Sequence, residues 1–253
     1  MNDVQGKLAR CIFPALAEPY QSALREAVTY ILERYDDAVG IIAAGSILRG
    51  QGHATSDLDL YVIRTRPQRQ RVQRRFQGVA AEIFVNPPRQ IARYFADEAR
   101  DSRPITAHML AHGAVVLALD PVVEQLRAQA EAELQRAPGP RDADLRWERY
   151  LAALELEDAL DILDQNPPGG TLILCGAVHK MLRYAFRQAR RPLPRDKDLL
   201  TALETLDPAL AGWARRFYSE RDPGAQRALA EQIADRTLGV RGFFEWESDP
   251  EDV

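Results

Sequence analysis

The chain has 253 residues, of which 46% are hydrophobic and 28% charged, a balance typical of a soluble globular protein with enough length for two domains. Its net charge of −4 argues against bulk binding to a nucleic-acid backbone, and it has neither a run of about eighteen apolar residues nor a basic-then-apolar start, so we expect no membrane span and no secretory signal. Two cysteines are too few for a disulfide framework, so we expect a protein of the reducing cytoplasm.

The first predicted elements are a helix, a buried strand and a tight turn. Apolar residues recur at helical spacing from Pro19 to Tyr35, which predicts an amphipathic helix. The aliphatic run from Ile41 to Ala44 predicts a buried strand that ends in a tight turn at Gly45-Ser46. Such a turn lets the backbone approach a phosphate closely, whereas the sequence motifs of P-loop ATPases and Rossmann proteins do not occur in the chain.

A second strand is predicted from Ser56 to Ile63. Because side chains alternate between the two faces of a strand, Asp57, Asp59 and Tyr61 share one face and the aliphatic residues between them share the other. The two carboxylates repel each other, and a divalent cation held between them removes that repulsion, so the pattern favours a magnesium site. The alternative is a pair of solvated aspartates on an edge strand.

A third strand is predicted from Gly78 to Val85, with Glu82 in its middle. Glu82 is either a third member of the acidic site or an exposed acid on a half-buried strand. The connection before this strand contains six arginines without an intervening acid, namely Arg64, Arg66, Arg69, Arg71, Arg74 and Arg75. We predict a solvated loop or hairpin tip there, with contact to a triphosphate or another polyanion as the alternative.

The remaining pattern predicts a mixed α/β domain at residues 1–136 and a helical domain at residues 142–246. The first domain is completed by helices from Pro88 to Ala99, from Arg103 to Ala111 and from Pro121 to Leu134, and by a strand from Ala114 to Leu119. The segment Ala137-Pro138-Gly139-Pro140-Arg141 separates the domains. The second has predicted helices from Asp142 to Gln165, Thr171 to Arg190, Asp196 to Leu206, Pro208 to Tyr218 and Gly224 to Leu238.

The first two helices of the helical domain are predicted to form an antiparallel hairpin around the segment from Asn166 to Gly170. On the first of them, Trp147, Tyr150, Asp158 and Asp161 follow one stripe. An aromatic groove with carboxylates at one end would suit a cationic ligand with hydroxyl groups, such as an aminoglycoside. The alternative is that the second half of this helix turns its acids into water.

Basic residues on the second of these helices are candidates for binding a triphosphate. Lys180 and Arg183 recur at a spacing of one helical turn and therefore share a face, and Lys197, beyond the helix, is a further candidate. The alternative is a solvated face whose cations pair with neighbouring acids.

One stretch of the chain resembles the signature of a known superfamily. The segment Gly45-Ser46-Ile47-Leu48-Arg49-Gly50, followed by Ser56-Asp57-Leu58-Asp59-Leu60-Tyr61-Val62, resembles the G-S-x-x-R-G…S-D-[IL]-D-L-x-V signature of the DNA polymerase beta-like nucleotidyltransferases, especially their minimal and antibiotic-modifying branches. The resemblance covers about twenty residues. It implies an α+β fold in which a small mixed-sheet catalytic domain precedes an all-α bundle, an order similar to kanamycin-type and HEPN-type fusions, whose bundle helps form the acceptor pocket.

The resemblance also implies roles for individual residues. Asp57 and Asp59 would bind metal, and Glu82 would be a metal ligand, the base that deprotonates the acceptor hydroxyl, or both. The residues implied to contact the nucleotide in this segment are Gly45, Ser46 and Arg49. For Arg49, a solvated position on the protein surface is an equal alternative.

Three functions stay open on these grounds. The leading expectation is a magnesium-dependent enzyme that transfers AMP from ATP to a hydroxyl of a small molecule, with antibiotic modification as the known precedent. The second is an antitoxin-like nucleotidyltransferase that acts on a protein or an RNA end, and the third is a catalytically silent nucleotide-binding regulatory module. The resemblance also allows a homodimer, because many relatives place the acceptor site between two subunits.

Overall fold

The computed structural model describes residues 3–50, 52, 56–136, 139–248 and 250. The chain divides into two compact units, one comprising Met1–Ala99 and Pro104–Arg136 and the other Arg100–Arg103 and Ala137–Val253. The sequence pattern did not predict that the segment Arg100–Arg103 groups with the second unit. Residues 137 and 138 of the predicted linker lie outside the described residues. Among the described residues, no helix has both the length and the apolar character needed to cross a membrane.

The first unit is built around a mixed sheet. Its strands are β1 (Ala38–Ala44), β2 (Leu58–Arg64), β3 (Gln70–Phe76), β4 (Val79–Asn86) and β5 (Ala114–Ala118). Its helices are α1 (Asp3–Leu8), α2 (Tyr20–Arg34), α3 (Pro88–Arg100), α4 (Ile105–His112) and α5 (Val122–Gln135). The predicted helices α2 to α5 and the predicted strands β1, β2, β4 and β5 are confirmed with small shifts at their ends, whereas α1 and β3 are additional elements.

The strands form a five-stranded sheet in the order β3-β4-β2-β1-β5, in which β2 and β4 are parallel and the other neighbours antiparallel. One face packs on α2 and the other on α3, α4 and α5, so β1 and β2 are buried on both sides. This double burial explains their almost continuous aliphatic sequences. On the second face, Tyr61 is fully covered, whereas Asp59 and Glu82 are half-buried. Asp59 and Glu82 therefore lie where the helices that cover this face of the sheet end.

The arginine-rich connection contains an edge strand, β3, and the prediction of a loop or hairpin tip along its whole length is wrong. Only Val72 and Phe76 are apolar in β3, because the strand lies at the open edge of the sheet and most of its side chains meet solvent. The alternation that predicts a strand is therefore absent. β3 turns into β4 at Gln77 and Gly78, which both have positive φ, as the tight two-residue hairpin turns require.

The second unit is helical throughout its described elements. These are α6 (Asp142–Ile162), α7 (Pro167–Gln188), a 3-10 helix (Asp196–Asp198), α8 (Leu199–Leu206), α9 (Pro208–Ser219) and α10 (Pro223–Thr237). One cluster of buried apolar residues takes side chains from α6 to α10. The predicted α+β class, a small mixed sheet followed by an all-α bundle, is confirmed.

The antiparallel pairing of α6 and α7 is also confirmed. Glu148 of α6 contacts Arg187 of α7, and Glu155, two turns later in α6, contacts Lys180, two turns earlier in α7. The connection is shorter than predicted, because Asn166 is the N-cap of α7 and the prolines and glycines after it lie inside the helix.

Candidate functional site

Three carboxylates converge on one face of the sheet. The register of the parallel strands β2 and β4 pairs Asp59 with Glu82, so these side chains lie next to each other on the same face. Asp57 is exposed and comes just before β2, not inside the strand as predicted. One carboxylate oxygen from each residue lies within 4.8 Å of the other two. We call Asp57, Asp59 and Glu82 the acid cluster.

The environment of the acid cluster favours a bound cation. Burial raises the pKa of Asp59 to about 6, and the negative charges of Asp57 and Glu82 add to this effect, although Arg49 and Arg71 act in the opposite direction. A divalent cation would relieve both the burial of charge and the repulsion. Carboxylate oxygens are the ligands that Mg²⁺ prefers, so the donor set fits a divalent metal ion.

The turn after β1 passes close to the acid cluster. Ala44 is paired with Asp59 across β1 and β2, and the next residue, Gly45, has a φ of 95°. A Cβ atom at Gly45 would lie 2.6 Å from Asp59 Oδ2, which is too close for a carbon atom. Glycine therefore meets two requirements at this position, the left-handed backbone and the close approach to a carboxylate.

The other candidate residues of this turn also lie beside the acid cluster. Ser46 Oγ donates a hydrogen bond to Ser56 Oγ at 3.2 Å, which links the turn to the segment that precedes Asp57. Arg49 is exposed, and in the part of the chain that the structure describes it has no carboxylate at ion-pair distance. Its charge opposes the rise in the pKa of Asp59, which requires a guanidinium near that carboxylate.

Two residues of β3 that the sequence did not predict as site residues hold Glu82 in place. Gln73 is paired with Glu82 in the register of β3 and β4, and its Nε2 donates a hydrogen bond to Glu82 Oε1 at 3.0 Å. Arg71 Nε forms an ion pair with the same oxygen at 2.9 Å, and its guanidinium lies 4.3 Å from the ring centroid of Phe84. The sequence would have identified Gln73 and Arg71 only if β3 had been recognised as a strand that pairs with β4.

We expect the Gln73→Leu variant to bind Mn²⁺ about tenfold more weakly than the wild type, because loss of the hydrogen bond frees the orientation of Glu82. Mn²⁺ titration followed by electron paramagnetic resonance (EPR) measures this effect. Arg75→Gln is the matched control, since Arg75 lies on the same face of β3 but bonds to the carbonyl of Gly78. Equal Mn²⁺ affinity of Gln73→Leu and the control would show that Gln73 does not orient the acid.

Of the two aromatic residues predicted to contact the acceptor, Tyr150 lines a cleft in the helical unit, whereas Trp147 contacts the ring of Tyr150 and is not part of the lining. The ring centroids of Trp147, Tyr150 and Trp246 lie 5.0 to 5.8 Å apart. Tyr150 and Trp246 line a cleft of about 650 Å³, which we call the helical-unit cleft. Its carboxylates are Glu157, Glu245 and Glu247. Asp158 and Asp161, predicted to accompany the rings, are exposed and are not part of this lining.

The basic residues predicted to contact the nucleotide from α7 are engaged in ion pairs. Lys180 Nζ lies 2.5 Å from Glu155 Oε2, and Arg183 Nη1 lies 3.2 Å from Asp196 Oδ1. These pairs correspond to the alternative interpretation, a solvated basic face, and a triphosphate would have to displace them. Lys197 is exposed in the 3-10 helix and makes no ion pair with any described residue.

Comparison with known proteins supports the fold of this chain. No protein-family model matches it, and no curated protein matches it. Among solved structures, a nucleotidyltransferase-like protein from Exiguobacterium sibiricum is similar, with 14% sequence identity, a TM-score of 0.52, and an alignment that covers 85% of this chain and 74% of that chain. At this identity the similarity shows a nucleotidyltransferase-like fold. The acid cluster is thus three potential metal ligands on a fold of that kind.

Proposed function

We propose that this protein is a nucleotidyltransferase that uses magnesium to transfer AMP from ATP to a hydroxyl group of a small molecule. The observation that carries the proposal is the convergence of Asp57, Asp59 and Glu82 within 4.8 Å, beside a turn whose Gly45 leaves room next to Asp59. The nucleotidyltransferase-like fold of a distant solved structure supports the same class of chemistry.

The acid cluster suits the cofactor that this chemistry needs. When bound, divalent ions would neutralise charge on the phosphates and lower the pKa of an attacking hydroxyl. Asp57 and Asp59 would hold the metal, and three carboxylates leave coordination positions for phosphate oxygens and water, the arrangement that Mg²⁺ favours.

The remaining residues have distinct tasks in the proposed reaction. The acceptor oxygen forms a bond to the α-phosphorus while the bond from that phosphorus to the bridging oxygen breaks, and diphosphate leaves. Glu82 accepts the proton of the acceptor hydroxyl, with its orientation fixed through Oε1. The groups proposed to orient the triphosphate are the backbone N–H groups of Gly45 and Ser46, the Ser46 hydroxyl and the Arg49 guanidinium.

We expect the double variant Asp57→Asn, Asp59→Asn to lose nucleotidyl transfer by at least about 1,000-fold, because both metal-binding carboxylates are removed. The assay incubates the full chain with Mg²⁺, ATP and a panel of hydroxyl compounds, and mass spectrometry detects an added AMP. Asp36→Asn is the control, since Asp36 is an exposed residue paired with Arg66 at the surface. Undiminished transfer by the double variant would sink the proposed site.

One feature of the helical unit supports aminoglycosides as the class of small-molecule acceptor. The helical-unit cleft combines aromatic rings with three carboxylates, a lining suited to a polycation. If this class is correct, an aminoglycoside gains AMP in the same assay, and Trp246→Leu reduces that product. Modification of other acceptors, with no aminoglycoside modified, would exclude this class.

A further inference from the structure

The first unit of the chain also contains a cleft, of about 560 Å³, on the sheet face that carries the acid cluster. We call it the sheet cleft. It lies between β2, β3 and β4 on one side and α3 and α4 on the other, and all its lining residues belong to the first unit. Its volume is that of a site for a small organic molecule.

The apolar part of the sheet cleft is suited to a flat ring. Tyr61 of β2 and Phe84 of β4 stack with their ring centroids 6.0 Å apart and an interplanar angle of 7°. Ile105, at the start of α4, lines the same space and is 47% exposed. An aromatic or sugar ring against these side chains would remove their apolar surface from water.

A buried hydroxyl without a hydrogen-bond partner lies in the wall of this cleft. Tyr61 is 1% exposed, and its Oη makes no hydrogen bond of regular geometry with any described group, although the side chains of Asn86 and Thr106 lie close enough to oppose, by hydrogen bonding, the rise that burial causes in its pKa. Asn86 and Thr106 are also buried and also line the cleft. An unpaired buried hydroxyl is costly, and a ligand that hydrogen-bonds to it would remove that cost.

The charged groups of the sheet cleft favour an anion. Arg69 Nη1 donates to the hydroxyl of Tyr94 at 2.7 Å, and among the described residues no carboxylate forms an ion pair with Arg69. Arg71 also lines the cleft, above the ring of Phe84. The carboxylate of the lining, Glu98, already accepts hydrogen bonds from the N–H and the hydroxyl of Thr106. Because Arg71 is paired with Glu82, Arg69 is the cation of this lining that has no carboxylate partner among the described residues.

The sheet cleft lies on the acceptor side of the acid cluster. Phe84 and Tyr61 follow Glu82 and Asp59 by two residues on the same strand faces, a separation of about 7 Å. The Gly45 turn adjoins Asp59 from β1, the neighbour of β2 on the side away from β4, and β1 contributes nothing to the cleft lining. In an in-line displacement the acceptor and the leaving diphosphate lie on opposite sides of the phosphorus. If the triphosphate lies at the Gly45 turn, on the β1 side of Asp59, then the acceptor lies on the opposite side of the α-phosphorus, toward β4.

We propose that the sheet cleft binds the acceptor, and that the acceptor is a small molecule with a flat ring, a hydroxyl group that reaches Glu82 and an anionic group that pairs with Arg69. The acceptor role rests on the proposed nucleotidyl transfer. This assignment favours anionic acceptors over the cationic class that the helical-unit cleft would suit.

Three probes with the same phenol ring and different charge test the proposal: 4-hydroxyphenylacetate, tyrosol and tyramine. Ligand-observed NMR on the full chain should show that the anion binds at least about tenfold more tightly than the cation. Arg69→Gln should bring the three affinities within about threefold of each other, whereas the exposed Arg66→Gln should preserve the preference.

Mn²⁺ provides a readout of position that does not depend on catalysis. In the wild type, bound Mn²⁺ should shorten the relaxation times of the protons of 4-hydroxyphenylacetate. In Asp57→Asn, Asp59→Asn the probe should still bind but lose this effect.

Equal affinities of the three probes, or a charge preference that survives Arg69→Gln, would overturn the proposed cleft. Probe binding without a paramagnetic effect, in protein whose EPR spectrum shows bound Mn²⁺, would overturn its place beside the acid cluster. A wild type that binds no Mn²⁺ would instead refute the proposed function and the acceptor role with it, while the probe affinities would still decide whether the cleft binds anions.

Discussion

The Asp59→Asn variant is expected to be more stable than the wild type in the absence of metal. Burial, assisted by the charges of Asp57 and Glu82, raises the pKa of Asp59 to about 6, so the ionised carboxylate opposes folding at pH 7.5. Asparagine keeps the shape of the side chain and removes the charge. With allowance for solvent screening, we expect the free energy of unfolding to rise by about 1–2 kcal/mol, measured by urea denaturation in the presence of EDTA.

The direction of the pKa shift fixes how this gain depends on pH. A carboxyl with a higher pKa in the folded state binds its proton more tightly when folded. Its favourable contribution is complete below the unfolded pKa, about 4, and is lost as the pH rises through about 6. The stability difference between Asp59→Asn and the wild type should therefore be largest above pH 6 and shrink toward pH 4.

The same substitution should weaken Mn²⁺ binding by at least about 100-fold, because it removes a charged ligand from the acid cluster. A gain in stability together with a loss of metal binding distinguishes a functional acid from a structural one. Asp36→Asn, at the exposed surface, should change neither quantity. A destabilised Asp59→Asn protein would contradict the explanation that the buried charge of Asp59 opposes folding. Normal Mn²⁺ affinity would show that Asp59 is not a metal ligand.

The second large effect is expected for Gly45→Ala. The new methyl group meets two obstacles, a φ of 95° that L-residues rarely adopt and a distance of 2.6 Å to Asp59 Oδ2. We expect the free energy of unfolding to fall by about 2–3 kcal/mol, since the backbone strain and the displaced carboxylate both contribute. Mn²⁺ affinity should fall at least about tenfold, because Asp59 is pushed from its place in the acid cluster.

Gly50→Ala separates the two contributions. Gly50 also has a positive φ, 70°, but a Cβ atom there would meet no atom within 4 Å. This variant should lose about 1 kcal/mol of stability from backbone strain alone and keep normal Mn²⁺ affinity. Equal losses of Mn²⁺ affinity in both variants would show that contact with Asp59 is not the cause. Urea denaturation and EPR titration of the two proteins provide the measurements.

Local patterns in the sequence predict the strands that carry the acids of the cluster, and the resemblance to the nucleotidyltransferases implies Glu82 as the third acid. Alternation along β2 places Asp59 on the face opposite the buried aliphatic residues, and the run of apolar residues around Glu82 predicts β4. What the pattern does not contain is the register. That Asp59 lies beside Glu82 depends on the parallel pairing of two strands with another strand between them in the chain.

The supporting residues could not be predicted for a related reason. Gln73 and Arg71 belong to a strand at the sheet edge, where solvent replaces the apolar contacts that create a period of two. Trp246 lies in an irregular segment after α10, so its contact with Tyr150 has no periodic signal either. In both cases the residue is identified by long-range packing, which periodicity and spacing do not encode.

The charges of β3 also affect how separate copies of the protein meet. An outer strand has unpaired N–H and C=O groups that can template pairing with another chain, and arginines on such a strand oppose this pairing. Arg71 thus has two tasks, because it orients Glu82 and helps to keep the margin of the sheet from forming intermolecular β-structure. Replacing the β3 arginines with valine would improve the β-propensity of the strand, yet it would favour aggregation and release Glu82 together.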